Sequence, residues 1–284
     1  MNYKYLVNSP KIWIKHFPWK KKLGHKYSRG RVVIYGGLKE FTGATILAAE
    51  SSLRAGAGSV KIICNRETLQ IFSLKFPSVL KIEIKDLKQL KKFLKKEKIT
   101  SILIGPGAGS NKKTKEVTKL VLKLVKYVVI DADALTCFKN DLKSLYKLLD
   151  KNKIITPHMG EFIKIFPKIK KKITNVNKVL EAIKLTKSNI VLKGPHTVIG
   201  SFNKKIVINY HTSSELAVIG SGDVLSGLIT SFIGKKKMKP FLAGCAATWI
   251  HGDIAKKYGK GLIAEDIISG IPATLKRLKK WKQY

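Results

Sequence analysis

SILIGPGAGSNKKTKEVTKLVLKLVKYVVIDAD, residues 101–133, is the stretch on which the fold is decided. Ser101–Ile104 is an apolar run too short for a helix, and Gly105-Pro106-Gly107-Ala108-Gly109 stops it. Residues 114–126 then carry apolar side chains at helical spacing, and 127–130 form a second apolar run that ends at Asp131-Ala132-Asp133. Two short apolar strands joined by an amphipathic helix make a parallel crossover unit, because parallel neighbours need a connection long enough to recross the sheet.

The same alternation extends in both directions. Upstream, Arg31–Tyr35 reads as a strand broken by Gly36-Gly37, 44–54 as a helix, Ser59–Cys64 as a strand and 67–74 as a short helix. Residues 78–85 alternate weakly, and 88–96 form a lysine-coated helix. Downstream come a strand at Lys153–Ile155, a helix from about Met159, a helix at 176–187 and a strand at 190–192. Phe202-Asn203 supplies the turn of a hairpin between Thr197–Gly200 and 205–209. Helices at 223–233, Pro240–Tyr258 and 265–280 complete the chain. The expected fold is α/β, with a mainly parallel central sheet between helical layers.

Ligands of such sheets bind beyond the carboxyl ends of the strands. Here those ends carry Gly36-Gly37, the turn at 105–109, Asp131 and Asp133, Thr156-Pro157-His158-Met159-Gly160-Glu161, and Lys193-Gly194. The 105–109 turn lacks a Walker lysine, and nothing after Gly36-Gly37 completes a dinucleotide fingerprint, which disfavours a dehydrogenase. Gly220-Ser221-Gly222-Asp223 opens an apolar helix, where small residues let backbone N–H groups approach an anion. Asp223 either accepts a proton from an attacking hydroxyl or stabilises its own helix terminus. Lys193 either meets a phosphate or is solvated, and His158 either orients a ligand or is an ordinary loop residue. Asp131 and Asp133 could hold magnesium through water or contact a ribose, and Asp131 could equally cap the segment that follows.

The 284 residues include 56 basic and 18 acidic side chains, a net charge of +38. Only five of the basic residues are arginines (Arg29, Arg31, Arg54, Arg66, Arg277), the other 51 being lysines. Readers of phosphate and base edges favour arginine's planar fork, so lysines spread over every helix argue against a nucleic-acid partner. With 44% hydrophobic residues the chain can build a large core. No stretch reaches the ~18 uncharged apolar residues that span a bilayer, and residues 1–22 contain no apolar signal core. Cys64, Cys137 and Cys245 have no paired spacing, which points to a reducing cytoplasm and to neither disulfides nor a zinc site.

Seven motifs, in order, resemble those of the ADP/ATP-dependent NAD(P)H-hydrate dehydratases of the ribokinase-like superfamily. They are Gly24-His25-Lys26-Tyr27 with Gly30-Arg31; Thr42-Gly43-Ala44 leading to Leu53-Arg54-Ala55-Gly56-Ala57-Gly58; and Gly105-Pro106-Gly107. Asp131-Ala132-Asp133-Ala134-Leu135, Thr156-Pro157-His158 with Gly160-Glu161, Lys193-Gly194 with Thr197, and Gly220-Ser221-Gly222-Asp223-Val224-Leu225 follow. The resemblance implies a three-layer α/β/α domain over residues 24–284, preceded at 1–23 by a segment resembling a linker. It implies dehydration of the S-epimer of hydrated NADH or NADPH (NADHX, NADPHX) at the expense of ADP or ATP. The C6 hydroxyl is phosphorylated and phosphate then leaves. Asp223 is then the catalytic base, and Ala44, Gly107, His158 and Asp223 contact the hydrate. Lys193, Gly194, Pro195, His196, Thr197 and Gly222 line the nucleotide. Magnesium shields the phosphates without a dedicated protein metal site, and a cytoplasmic homo-oligomer, a tetramer, is expected, with no membrane or nucleic-acid partner.

The chain departs from the family pattern at Thr136, where Asn is common, and at Val218 and Ile219, where a Thr and a smaller residue are common. It is too short to carry the epimerase domain of many bacterial relatives, so dehydration without epimerisation is expected. Two other functions fit parts of the pattern. A ribokinase-like kinase for a vitamin-precursor alcohol would share the glycine–aspartate motif and leave a stable phosphate ester. A basic nucleic-acid-binding protein would show strongly salt-dependent binding.

Overall fold

Period-two patterning sorts the strand side chains onto two faces. Val32 and Ile34 enter one apolar cluster while Val33 enters the other, and Leu103 and Val129 are likewise separated from Ile102, Ile104, Val128 and Ile130. A strand covered on both faces is apolar at every position, and for that reason these segments read as continuous runs.

The computed structural model describes residues 4–19, 29–234 and 238–281; the Gly24-His25-Lys26-Tyr27 motif and the cluster Lys235-Lys236-Lys237 lie outside them. In chain order the elements are β1 (Leu6–Val7), α1 (Pro10–Trp13), β2 (Arg31–Tyr35), α2 (Thr42–Arg54), β3 (Ser59–Cys64), α3 (Arg66–Lys75), β4 (Leu80–Glu83) and α4 (Leu87–Lys96). Then follow β5 (Ser101–Ile104), α5 (Lys112–Leu124), β6 (Val128–Ile130), α6 (Asp133–Thr136), α7 (Leu142–Leu148), β7 (Lys153–Ile155) and α8 (Met159–Ile165). The last are α9 (Asn175–Thr186), β8 (Asn189–Leu192), β9 (Thr197–Gly200), β10 (Ile206–Asn209), α10 (Ser221–Gly234), α11 (Pro240–Tyr258) and α12 (Ala264–Trp281).

Among the described residues one ten-stranded sheet forms, ordered β1-β10-β9-β8-β7-β6-β5-β2-β3-β4. Only β9 runs antiparallel to its neighbours, as the hairpin turn requires. Helices α2, α3, α10, α11 and α12 cover one face, and α4 to α9 the other. Several helices begin earlier than their apolar periodicity suggests, because a polar cap sets the first turn. Asn65, Asp86 and Asn111 each accept a hydrogen bond from the backbone N–H three residues on.

The lead-in joins the sheet. Leu6 lies opposite Val207, and Asn8 Nδ2 donates to Asn209 Oδ1 and to the Cys245 carbonyl. Trp13 is fully buried, stacked at a tilt on Phe17 and Trp249. Sequence periodicity had no purchase on a two-residue strand and a one-turn helix, nor on α6 and α7.

From β2 the chain steps outward to β3 and β4, then returns to place β5 on the other side of β2. The crevice beyond β2 and β5 is therefore the topological switch point. There Gly37 N–H donates to the Pro106 carbonyl at 2.9 Å, and Leu38 N–H to that of Gly107 at 2.7 Å. Gly105, at φ +124°, leaves no room: a Cβ would lie 1.8 Å from the Asp131 carbonyl oxygen. Gly105→Ala is expected to cost roughly 3 kcal/mol or more in chemical denaturation, since backbone strain and overlap act together.

Candidate active site

Three strand ends converge on one ammonium group. Lys193, after β8, is tied to the loop after β7 by its N–H to the Pro157 carbonyl. Its Nζ reaches Asp131 Oδ1, after β6, at 2.9 Å and Glu161 Oε2, in α8, at 4.0 Å. Asp131 is 1% exposed and Glu161 is also buried. Burial alone would lower the Lys193 pKa, but these two carboxylates outweigh it and the net shift is upward. Burial pushes the Glu161 carboxyl up, with Lys193 opposing and Asp131 adding.

His158 is half committed to structure. Its Nδ1 accepts from the Gly160 and Glu161 N–H groups, and the His158 backbone N–H donates to Glu161 Oε2, a reciprocal cap on α8. The outer edge of the ring remains exposed and lines a cavity of about 700 Å³. Lys193, Gly194, Pro195, His196, Thr197 and Gly222 line the same cavity, so the structure brings this sequence-predicted set together. Asp133 serves the scaffold: its Oδ2 accepts from the Gly109 N–H at 2.8 Å, fastening the β6 loop to the β5 loop.

Asp223 sits in the first turn of α10, where N–H groups have no helical partner. Burial pushes its carboxyl up to about 7, Asp131, Glu161 and Asp133 adding to the shift and Lys193 opposing it. A Cβ on Gly222 would stand 3.3 Å from Lys193 Nζ, so the lysine charge borders that same turn. A base near neutrality, free N–H donors and a cation thus meet at the first turn of α10, Lys193 and Gly222 on the cavity wall and Asp223 just behind it, as transfer of a charged group to a hydroxyl requires.

Ala44 and Gly107 do not line this cavity. They lie at the switch-point crevice: the neighbouring Thr45 hydroxyl donates to the Pro106 carbonyl, and a Cβ on Gly107 would be 2.4 Å from the Phe41 carbonyl oxygen. Asp223 feels both Lys193 and Asp133, and Asp133 holds the crevice loop, so the carboxylate stands between the two regions. Sequence reasoning passed over Glu161 as a partner of Lys193 and missed His251, which reaches Ser221 from the middle of α11. Only the Glu161 position carried a signal, its place in the Thr156–Glu161 motif. Among the described residues no group of three or more His, Cys, Asp or Glu is arranged to hold a metal ion.

A family model described as NAD(P)H-hydrate dehydratase matches residues 32–272. The chain belongs to that family. Among NAD(P)H-hydrate dehydratase relatives, the ADP-dependent (S)-NAD(P)H-hydrate dehydratase of Neisseria meningitidis is 30% identical, covering 86% of this chain and 84% of its own. A bifunctional NAD(P)H-hydrate repair enzyme of Dictyoglomus turgidum is 32% identical, covering 88% of this chain and 51% of its own. The chain spans about half the length of such bifunctional relatives. A ribokinase-like superfamily protein from Enterococcus faecalis has the same fold, with TM-score 0.84 at 24% identity over 98% of this chain and 99% of its own. So does the ADP/ATP-dependent NAD(P)H-hydrate dehydratase from Bacillus subtilis co-crystallised with ATP/Mg2+, at TM-score 0.81 and 22% identity over 98% and 100%. The architecture is ribokinase-like.

The family departures fall in different places. Val218 lines the large cavity, whereas the Ile219 side chain is fully exposed beside Gly220. Thr136 ends α6.

Proposed function

We propose that this NAD(P)H-hydrate dehydratase family member restores NADH and NADPH from the S-epimers of their C6 hydrates, consuming ADP or ATP. The observation that carries the reading is the Asp223 carboxyl near neutrality beside the unpaired N–H groups of α10 and the Lys193 ammonium. The nucleotide lies in the large cavity along Lys193 to Thr197, with its terminal phosphoryl group at Gly222. The hydrate reaches Asp223 from the crevice, along Ala44 and Gly107, and extends to His158 on the cavity wall. Asp223 removes the C6 hydroxyl proton and the oxygen attacks the terminal phosphorus, whose bond to the bridging oxygen breaks so that AMP leaves from ADP, or ADP from ATP. The first-turn N–H groups and Lys193 stabilise charge on the transferring group. The ring nitrogen lone pair then expels phosphate, and loss of a proton from the neighbouring carbon restores the dihydronicotinamide.

The carboxylates of Asp131 and Glu161, already facing a cation, fit a magnesium ion carried on the nucleotide phosphates and met through water. Its contribution would be to offset phosphate charge. The same reading places the enzyme in the cytoplasm as a homo-oligomer, a tetramer. No helix among the described residues is long and apolar enough to cross a membrane.

Incubation with the S-epimer of hydrated NADH, Mg2+ and either ADP or ATP is expected to release inorganic phosphate as NADH absorbance returns. A stable phosphate ester without NADH would instead identify a small-molecule kinase. Equal consumption of the R-epimer alone would refute the proposed stereochemistry.

A further inference from the structure

Ser221 and His251 are both buried beside the phosphoryl position, and neither has a task in the steps above. Ser221 is the first residue of α10 and 5% exposed; His251, in the middle of α11, is 6% exposed, and both line the large cavity. His251 Nε2 stands 3.1 Å from Ser221 Oγ and 3.0 Å from the Ser221 carbonyl oxygen. A carbonyl oxygen can only accept, so that contact puts the ring proton on Nε2. Burial pushes the imidazole down to about 4, Lys193 adding and the Ser221 carbonyl opposing, so the ring is neutral and holds a single N–H.

With its proton directed at these two oxygens, Nε2 can donate to Ser221 Oγ but cannot accept from it. The hydroxyl therefore keeps its own proton for another acceptor. His251 is the sole partner of that hydroxyl among the described residues. The cavity, beside the free N–H groups of Gly222 and Asp223, is where an acceptor arrives.

We propose that Ser221 is a catalytic residue whose hydroxyl donates to an oxygen of the phosphoryl group in transit, and that His251 is the positioning residue that aims it. The proposal rests on the nucleotide reading of the cavity. The serine forms no bond to phosphorus and keeps its proton throughout. Its hydrogen bond strengthens as charge builds on the transferring group, so the donor acts on turnover more than on binding.

Four variants test this. Ser221→Ala removes the donor and Ser221→Thr restores it; His251→Phe frees the hydroxyl to turn away, and His251→Gln keeps an N–H in its place. In steady-state assays kcat is expected to fall about ten- to a hundredfold in Ser221→Ala and His251→Phe. Nucleotide KM should change less than about threefold, and the Thr and Gln variants should stay close to wild type. Because the two residues act as one unit, the Ser221→Ala/His251→Phe double variant should be no slower than the slower single. Wild-type kcat in Ser221→Ala, or multiplicative losses in the double variant, would overturn the proposal.

Binding of aluminium fluoride, a mimic of the phosphoryl group in flight, with Mg2+ and the leaving nucleotide (AMP where ADP is the donor, ADP where ATP is) gives a readout that needs no hydrate. Ser221→Ala should bind the mimic about tenfold more weakly and the nucleotide alone unchanged. Equal affinity for the mimic overturns the role of Ser221 even if the hydrate is turned over. Weakened mimic binding with no hydrate turnover by the wild type supports Ser221 and refutes the substrate instead. If the wild type binds neither ADP nor the mimic, both readings fall.

Discussion

Asp223→Asn is expected to bind nucleotide normally, lose turnover by about 10²- to 10⁴-fold, and unfold at higher denaturant than the wild type. The activity loss follows from removing a proton acceptor while keeping its shape. The gain in stability follows from the direction of the shift. The folded-state pKa rises from 3.8 to about 7, so burial and the neighbouring carboxylates disfavour the charged form. Below about pH 4 the group is neutral in both folded and unfolded chains and costs nothing. As pH rises from 4 to 7 the unfolded chain ionises first, and the wild type loses stability progressively. Above pH 7 the full penalty is present, of order 2–4 kcal/mol once partial solvation is allowed for. Urea denaturation at pH 5 and pH 8 should therefore show the advantage of Asp223→Asn widening at the higher pH. In the active wild type, kcat/KM should fall about tenfold per pH unit below pH 7, as the base takes a proton. A flat profile from pH 5 to 8 would remove Asp223 as the base.

Lys193→Met should damage both fold and catalysis. Lys193 is the cation at 2.9 Å from Asp131 and 4.0 Å from Glu161, both buried. Replacing it by an apolar chain of similar length strands two carboxylates in a low-dielectric site. Removing one member of a buried ion pair costs ~3–5 kcal/mol. Burial already pushes the Glu161 carboxyl up and Lys193 opposes it, so without the lysine the loss measured by denaturation should be larger at pH 8 than at pH 5. Catalysis loses the charge beside the first turn of α10, for which a drop of at least ~10²-fold in kcat is expected. Lys193→Arg should not restore activity, because a planar fork cannot occupy the point position of an ammonium between these groups. Equal stability of Lys193→Met and wild type at pH 8 would show that the pair contributes nothing to folding.

The net charge of +38 takes on a different meaning beside this geometry. Asp131, Glu161 and Asp133 all act on Asp223, so the place proposed to receive phosphates is locally acidic. Long-range attraction by the lysine-rich surface and short-range repulsion at the centre are then opposed. The divalent ion proposed to travel with the nucleotide would resolve the conflict.

The strands of the parallel core, the long helices and the rim of motif residues were legible in the residues themselves. Short-range rules suffice there: a doubly covered strand such as Val128–Ile130 is apolar throughout, and a helix such as Lys112–Leu124 buries Thr114, Val117, Thr118, Val121 and Leu122, a repeat near 3.6 residues. The list that joined Gly222 with Lys193 to Thr197 came from motif order, and the large cavity collects those positions. What each side chain does inside that rim was not legible. His158 could be a ligand or a loop residue until its ring was placed against the α8 N–H groups. The scaffold role of Asp133 emerged only when it was placed on Gly109. Lys193 could be one of 51 solvated lysines until Asp131, 62 residues earlier in the chain, was placed beside it. His251 carried no local signal, since its partner lies across the helix interface at Ser221. Secondary structure follows from contacts between near neighbours in sequence and from burial, which a single chain displays in its pattern; strand order, with β5 beside β2 and β1 beside β10, does not. Protonation, pairing and aim depend on groups brought together over long sequence separations, and only the folded chain decides them.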